Sequence, residues 1–273
     1  LLQKGDLDAA EPLQREALEV LRETLGNRHP NTLGSINSLG VLLHRKGDLA
    51  AAEPLLREAM EVARETLGNR HPSTLVFIGS LGSLLKDKGD VAATELMYRE
   101  VLEVKRETLG SRHPETLMFI NGLGTLLEDM GDLAAAEPLL REALEVLRET
   151  LGNRHPSTLN SINNLGPLLH ANGDLAAAEP LYREVLEVQR ETLGNRHPDT
   201  LASVNNLGLL LKAKGDLAAA ELLLREALKV RRETLGNRHP RTLGSIGNLG
   251  LLLEAKGDLA AAEPLLREAL EGT

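Results

Sequence analysis

The chain has no cysteine and no tryptophan, and only two tyrosines and two phenylalanines among 273 residues. Without cysteine there is no disulfide framework, no thiolate metal site and no cysteine nucleophile. Aromatics make up 1% and hydrophobic residues 42%, so any core is built from Leu, Ala and Val, which suits packed helices better than a sandwich or barrel. No apolar run approaches the roughly 20 residues of a membrane span. The opening Leu1-Leu2-Gln3-Lys4-Gly5-Asp6 does not read as a signal peptide. The expectation is therefore no membrane partner and a cytoplasmic location. Positive charge is also in short supply, with 31 Lys and Arg against 40 Asp and Glu and a net charge of −9. Nucleic-acid affinity comes from clustered cations, so nucleic acid is not expected as a partner.

What the chain does have is self-similarity. Gly-Asp recurs at Gly5, Gly47, Gly89, Gly131, Gly173, Gly215 and Gly257, always 42 residues apart. Arg-His-Pro keeps the same period at Arg28, Arg70, Arg112, Arg154, Arg196 and Arg238, without insertion or deletion. The expected organisation is one array over 1–273. Residues 1–29 form a partial first repeat, 30–71, 72–113, 114–155, 156–197 and 198–239 are full repeats, and 240–273 is a last repeat with a shortened second helix.

Each repeat reads as two helices. After Gly47-Asp48, a helix stop followed by an N-cap, Leu49, Ala52, Leu56, Ala59, Met60 and Ala63 recur at three- and four-residue steps. Glu53, Arg57, Glu61 and Arg64 take the other face, which makes an amphipathic helix of about five turns. The segment from Pro30 to Lys46 spaces Leu33, Ile36, Leu39, Leu42 and Leu43 the same way, with Pro30 suited to a first helical position. Its Ser, Asn and Gly residues are poor helix formers, so this helix depends on packing. Neither helix can bury its face alone, and such pairs stack into a solenoid.

Ile36, Leu39, Gly40 and Leu43 in the first helix and Ala52, Leu56 and Ala59 in the second resemble the tetratricopeptide repeat (TPR) packing pattern. The 42-residue length and the linker Leu67-Gly68-Asn69-Arg70-His71-Pro72 resemble the kinesin light chain subtype. The resemblance covers the whole chain. It implies an all-α, right-handed α-solenoid of helix-turn-helix repeats, here thirteen helices, with the first helices lining a concave groove that takes a protein or peptide ligand.

That carry-over places Asn37, Val41, His44, Arg45, Ser83, Lys86, Asn121, Thr125, Glu128, Asn163, Asn164, His170, Asn205, Asn206, Leu209, Lys212, Asn248, Leu251 and Glu254 on the groove. Asn164, Asn206 and Asn248 match a family position that often bonds a peptide backbone; Ser38, Ser80 and Gly122 depart from it. Each amide offers both donor and acceptor, which suits an extended peptide, though the same residues could instead cap or bridge helices. The key position of the chaperone-tail carboxylate clamp reads Val41, Ser83, Thr125, Pro167, Leu209 and Leu251, so that clamp is absent. Kinesin light chains favour acidic cargo, yet this groove mixes His44, Arg45, Lys86 and Lys212 with Asp87, Glu128, Asp129 and Glu254.

The six Arg-His-Pro linkers invite a metal or catalytic reading. Stacked repeats sit roughly 8 to 10 Å apart, whereas zinc needs its His nitrogens at about 2 Å. The better reading is a turn whose polar groups satisfy helix ends. No nucleophile, phosphate loop, metal site or cofactor site stands out from the repeated background, so no enzyme and no cofactor are expected. The expected function is a protein–protein interaction scaffold. The alternatives are a consensus-like or engineered scaffold without a ligand, or the sensor arm of a larger signalling ATPase.

Three structural expectations follow. Gly166-Pro167 lies mid-helix, so the carbonyl of Asn163 should lose its partner and the helix should bend there, opening polar backbone toward the groove. Ala52, Ala136, Ala178, Ala220 and Ala262 should mark close helix crossings. Leu1, Leu2, Leu7 and Leu13 at one end, and Leu259, Leu266 and Leu270 at the other, should be partly uncovered and favour weak head-to-tail self-association.

Overall fold

The structure is a computed structural model that describes residues 4–272. Its described residues form thirteen α-helices and no strand. They fall into two compact units, residues 1–132 and 133–273. The first holds α1 (Lys4–Leu25), α2 (Pro30–Lys46), α3 (Leu49–Leu67), α4 (Pro72–Asp87), α5 (Val91–Leu109) and α6 (Pro114–Asp129). The second holds α7 (Leu133–Leu151), α8 (Pro156–Ala171), α9 (Leu175–Thr192), α10 (Pro198–Ala213), α11 (Leu217–Leu235), α12 (Pro240–Ala255) and α13 (Leu259–Glu271). Within each unit every helix packs on its neighbour in sequence, and first-type helices also touch across repeats, α2 on α4 and α10 on α12. This is the local packing of a helix-turn-helix solenoid.

Local chemistry explains the helix limits. His29, His71, His113, His155, His197 and His239 are all N-caps, each Nδ1 accepting the backbone N–H two residues on at 3.1–3.2 Å. Proline follows at the first helical position, where its missing donor costs nothing. The linker histidines thus close helix ends, as the turn reading expected. Asp48, Asp90, Asp174, Asp216 and Asp258 cap second-type helices, with Oδ1 accepting the N–H three residues on. Each Gly before them turns at positive φ, such as 88° at Gly47, a conformation other L-residues resist.

The core is aliphatic. Leu33, Ile36, Leu56, Ile78, Leu84, Ile120 and Leu126 are fully enclosed, and so are Ala52, Ala136, Ala178 and Ala220, with Ala262 nearly so. A Cβ added to Gly40 would meet Leu56 at 2.7 Å and the Ala52 carbonyl at 3.5 Å, so Gly40 and Ala52 set a close crossing. Gly208 meets Leu224 and Gly250 meets Leu266 in the same way, at 2.9 and 2.7 Å. The buried Thr32, Thr116, Thr158, Thr200 and Thr242 donate from Oγ1 to a carbonyl eleven residues back, at 3.4–3.5 Å, tying α2, α6, α8, α10 and α12 to the helix before them, whereas the equivalent Thr74 on α4 is buried with its Oγ1 unpartnered.

One expectation is met in part and one needs correction. α8 stays helical through Pro167 and has the same 16 residues as α4, α6, α10 and α12, while Pro167, lacking an N–H, leaves the Asn163 carbonyl without its helical donor. Pro167 lies on the exposed side of the helix, where the Asn163 carbonyl can turn to water. Leu7, on α1, is buried, and α1 packs along α2. Leu13, Leu259 and Leu270 are exposed and Leu266 is half-buried. Leu1 and Leu2 lie outside the described residues.

Candidate functional site

In the first unit the first-type helices α2, α4 and α6, with α5 behind them, enclose a pocket of about 590 Å³. It is formed by Val41 and His44 on α2, Leu75, Val76, Gly79, Ser80 and Ser83 on α4, Tyr98 and Lys105 on α5, and Glu115, Met118, Phe119 and Gly122 on α6. Its floor is aromatic. The Tyr98 and Phe119 rings meet edge to face at 5.5 Å and 89°, an arrangement favoured by their quadrupoles. Small residues make room for them. A Cβ on Gly79 would lie 2.9 Å from Phe119 Cζ, and one on Gly122 would lie 3.3 Å from Tyr98 Cε2. Val76 and Met118 stand at the mouth, 52% and 62% exposed.

Charge around the pocket is arranged asymmetrically. Lys105 Nζ sits 5.8 Å from the Phe119 ring centroid and bonds Glu115. Its side chain is 7% exposed against 56% for Glu115. His44 Nε2 lies 2.6 Å from Asp87 Oδ2, with the histidine 13% and the aspartate 59% exposed. Lys86 pairs with Asp129 at 3.6 Å, and there too the carboxylate is the more exposed partner. The bond from Lys105 holds the Glu115 carboxyl below its ordinary range. Burial, with the Asp87 charge second, raises the Tyr98 hydroxyl above its usual value. Glu128 is raised by burial and then by the neighbouring Asp129.

The residues proposed from sequence are distributed unevenly. Val41, His44 and Ser83 line the pocket. Lys86 and Glu128 belong to the charged ends of α4 and α6, and Arg45 is exposed. Thr125 Oγ1 donates to the Gly122 carbonyl at 3.1 Å, and Asn121 Nδ2 to the Leu117 carbonyl at 3.3 Å. Asn37 is buried rather than presented. In the second unit Asn163, Asn206, Leu251 and Glu254 are exposed, and Asn164, His170, Leu209 and Lys212 are half-buried. Asn205 is buried and accepts a bond from Asn248 Nδ2 at 3.0 Å, so this pair bridges helices instead of presenting both amides. Asn205 satisfies its carbonyl oxygen against Asn248 of the neighbouring first-type helix, whereas Asn37 is buried with its Oδ1 left without a partner. Among the described residues no group of three His, Asp or Glu side chains could hold a metal ion.

The residues missed from sequence are Val76, Tyr98, Lys105, Glu115, Met118 and Phe119. A signal existed in the departures from the repeat. Phe77 and Phe119 stand where Ser35, Ser161, Ser203 and Ser245 stand elsewhere, and Val76 and Met118 replace Gly34, Asn160, Ala202 or Gly244.

The tetratricopeptide repeat model matches residues 1–65, 33–107, 73–149, 115–179, 158–233 and 223–273, and so extends over the chain from end to end. The chain belongs to the tetratricopeptide repeat family. TPR arrays commonly mediate protein–protein interaction and are generally non-enzymatic. Among solved structures, the nearly identical TPR-like repeats assigned to a kinesin light chain of Podosopora anserina are 29% identical. They cover 76% of this chain and 98% of their own, with a TM-score of 0.67. BtubC (BKLC) from P. vanneervenii is 22% identical over 86% of this chain and 94% of its own, with a TM-score of 0.69. YrrB, described as a TPR protein with an unusual peptide-binding site, is 16% identical over 88% of this chain and 96% of its own, at 0.55. The last two show the fold alone. No curated protein matches the chain's sequence. No helix among the described residues is long and apolar enough to cross a membrane.

Proposed function

We propose that this TPR array is an interaction scaffold that takes an extended peptide or partner segment on the face of its first-type helices. The observation that carries this reading is the pocket of about 590 Å³ between α2, α4 and α6, an apolar hollow with a polar rim on that face. Such a hollow is the usual form of a binding site, where an apolar anchor supplies affinity and a few polar groups supply orientation. YrrB, named for a peptide-binding site, has the same fold. In the second unit, taken by itself, Asn163, Asn206 and Leu251 on the first-type helices are exposed and Asn164 is half-buried, which leaves them open to a ligand.

A photo-crosslinking residue placed at Ser83, on the exposed side of α4, tests the reading. It should capture peptide from a random pool, while the same group at Leu96, exposed on the second-type helix α5, should not. Equal capture at both positions, or none at either, would favour the competing reading of a scaffold without a ligand, which the near-identity of the repeats supports.

A further inference from the structure

Comparison of the repeats with one another locates where this chain departs from its own pattern. The departures that build the pocket coincide in α4, α5 and α6, and they act together. At the position of Asn37, Asn163 and Asn205 stands Gly79, and at the position of Asn164, Asn206 and Asn248 stands Gly122. Losing those amides opens the space that Phe119 and Tyr98 enter, as the short distances from Gly79 and Gly122 to the two rings require. Val76 and Met118 then add apolar walls that remain exposed. A solvated scaffold gains nothing from two exposed large apolar side chains beside an aromatic floor, because each leaves apolar surface in water. A partner that covers them gains that burial.

The rim defines the partner's charge. At both polar pairs beside the pocket the carboxylate is the exposed member: Glu115 over the buried Lys105, and Asp87 over the His44 imidazole. Asp129, paired with Lys86, repeats the arrangement at the end of α6. What an approaching chain meets is therefore a hydrophobic hollow flanked by carboxylates.

We propose that the α4–α6 pocket is a specific docking site for a peptide segment in which one large aliphatic or aromatic side chain is flanked by Lys or Arg. The side chain fills the space over Tyr98 and Phe119 between Val76 and Met118, and the flanking cations lie against Asp87 and Glu115. This rests on the peptide-binding reading above and adds the chemical class of the ligand. It is opposite in sign to the acidic cargo that kinesin light chains favour. Charge complementarity of this kind sets specificity and the encounter rate more than it sets raw affinity.

The test is selection of a random dodecamer display library on the full chain, followed by affinity measurements with the enriched sequences. The expected outcome is enrichment of a large apolar residue with Lys or Arg within two positions. Met118→Glu, at an exposed position that folding does not depend on, should weaken binding about tenfold or more, the scale of losing an anchor. Asp87→Asn, also exposed, should weaken it about threefold at low salt and much less at 1 M NaCl. Circular dichroism of both variants should match the parent. Enrichment of acidic-flanked or charge-free sequences that still depend on Met118 would overturn the proposed ligand class and leave peptide binding standing. Enriched sequences indifferent to both substitutions would overturn the pocket assignment, and failure to enrich any sequence over a bare-surface control would overturn both readings.

Discussion

Arg64 on α3 donates from Nη2 to Glu100 on α5 at 2.5 Å, across 36 residues of sequence. The same bond recurs from Arg22 to Glu58, Arg148 to Glu184, Arg190 to Glu226 and Arg232 to Glu268. A spacing of 36 in a 42-residue repeat puts the arginine near the end of one second-type helix opposite the middle of the next, so each pair ties successive repeats together. The arginines are about one-third exposed, so each bond should be worth only about 0.5–1 kcal/mol. A double-mutant cycle on Arg190→Ala and Glu226→Ala, read from urea midpoints, should give a coupling of that size. The coupling should shrink in 1 M NaCl. No measurable coupling at low salt would mean that the ladder is decorative.

A second ladder gives the protein a defined acid limit. Glu53, Glu179 and Glu221 each accept from a lysine of the next repeat, Lys88, Lys214 or Lys256, and from an arginine one turn on, Arg57, Arg183 or Arg225. The lysine bond first, and the arginine bond second, hold each carboxyl below its ordinary value of 4.5. A depressed folded-state value stabilises above the unfolded value and loses that stabilisation as pH falls through the folded one. The melting temperature should therefore stay level from pH 7 to about 5 and decline below about 4.5. Glu179→Gln should lower it at pH 7 and flatten the acid decline; an unchanged profile would show that these bonds do not persist in solution.

The histidine caps offer a cleaner stability test. His155 accepts the Ser157 N–H at 3.1 Å and opens α8, inside the second unit. His155→Ala should cost about 1 kcal/mol, and His155→Asn should restore most of it, since Asn is a strong N-cap. Equal midpoints for all three proteins would show that the cap is dispensable. Six copies act alike, so the effect should grow with each cap removed.

How much of this was legible in the sequence depends on the range of the interaction. The Gly47-Asp48 stop and cap, the proline after each capping histidine and the apolar step through Ala52, Leu56 and Ala59 are local. They were readable together with the helix limits, Pro30 to Lys46 among them. The pocket was not. It depends on Tyr98 reaching Gly122 and Phe119 reaching Gly79, pairings 24 and 40 residues apart that no helical period encodes. The amides of Asn205 and Asn248 looked equally presented in sequence, but their mutual bond depends on the approach of α10 to α12. Pro167 shows the limit of local rules in the other direction, because packing carries α8 through a residue that disfavours helix interiors.

Arg231 provides the most demanding test of the core. It lies on α11, 8% exposed, and donates to the carbonyls of Leu201 and Arg241 at 3.2 Å each and to Ser245 Oγ at 2.5 Å. None of these partners is a carboxylate, so the guanidinium is held by neutral acceptors only. Burial disfavours its charge, and Arg241 adds repulsion, so its pKa is pushed down from the ordinary value. In other repeats the same position holds Leu21, Ala63, Lys105, Leu147 or Gln189. Leu147, in the same unit, is buried there. A leucine therefore fits the geometry without a buried charge. Replacing buried charge by a well-packed apolar side chain is commonly neutral or stabilising, so Arg231→Leu should leave the urea midpoint unchanged or raise it by the equivalent of up to about 2 kcal/mol. Arg231→Ala should instead lower it by about 1–3 kcal/mol, because the long side chain fills space that alanine leaves empty. If the leucine variant were destabilised as much as the alanine variant, the three bonds to Leu201, Arg241 and Ser245 would outweigh desolvation, and Arg231 would be a structural clamp between α10, α11 and α12.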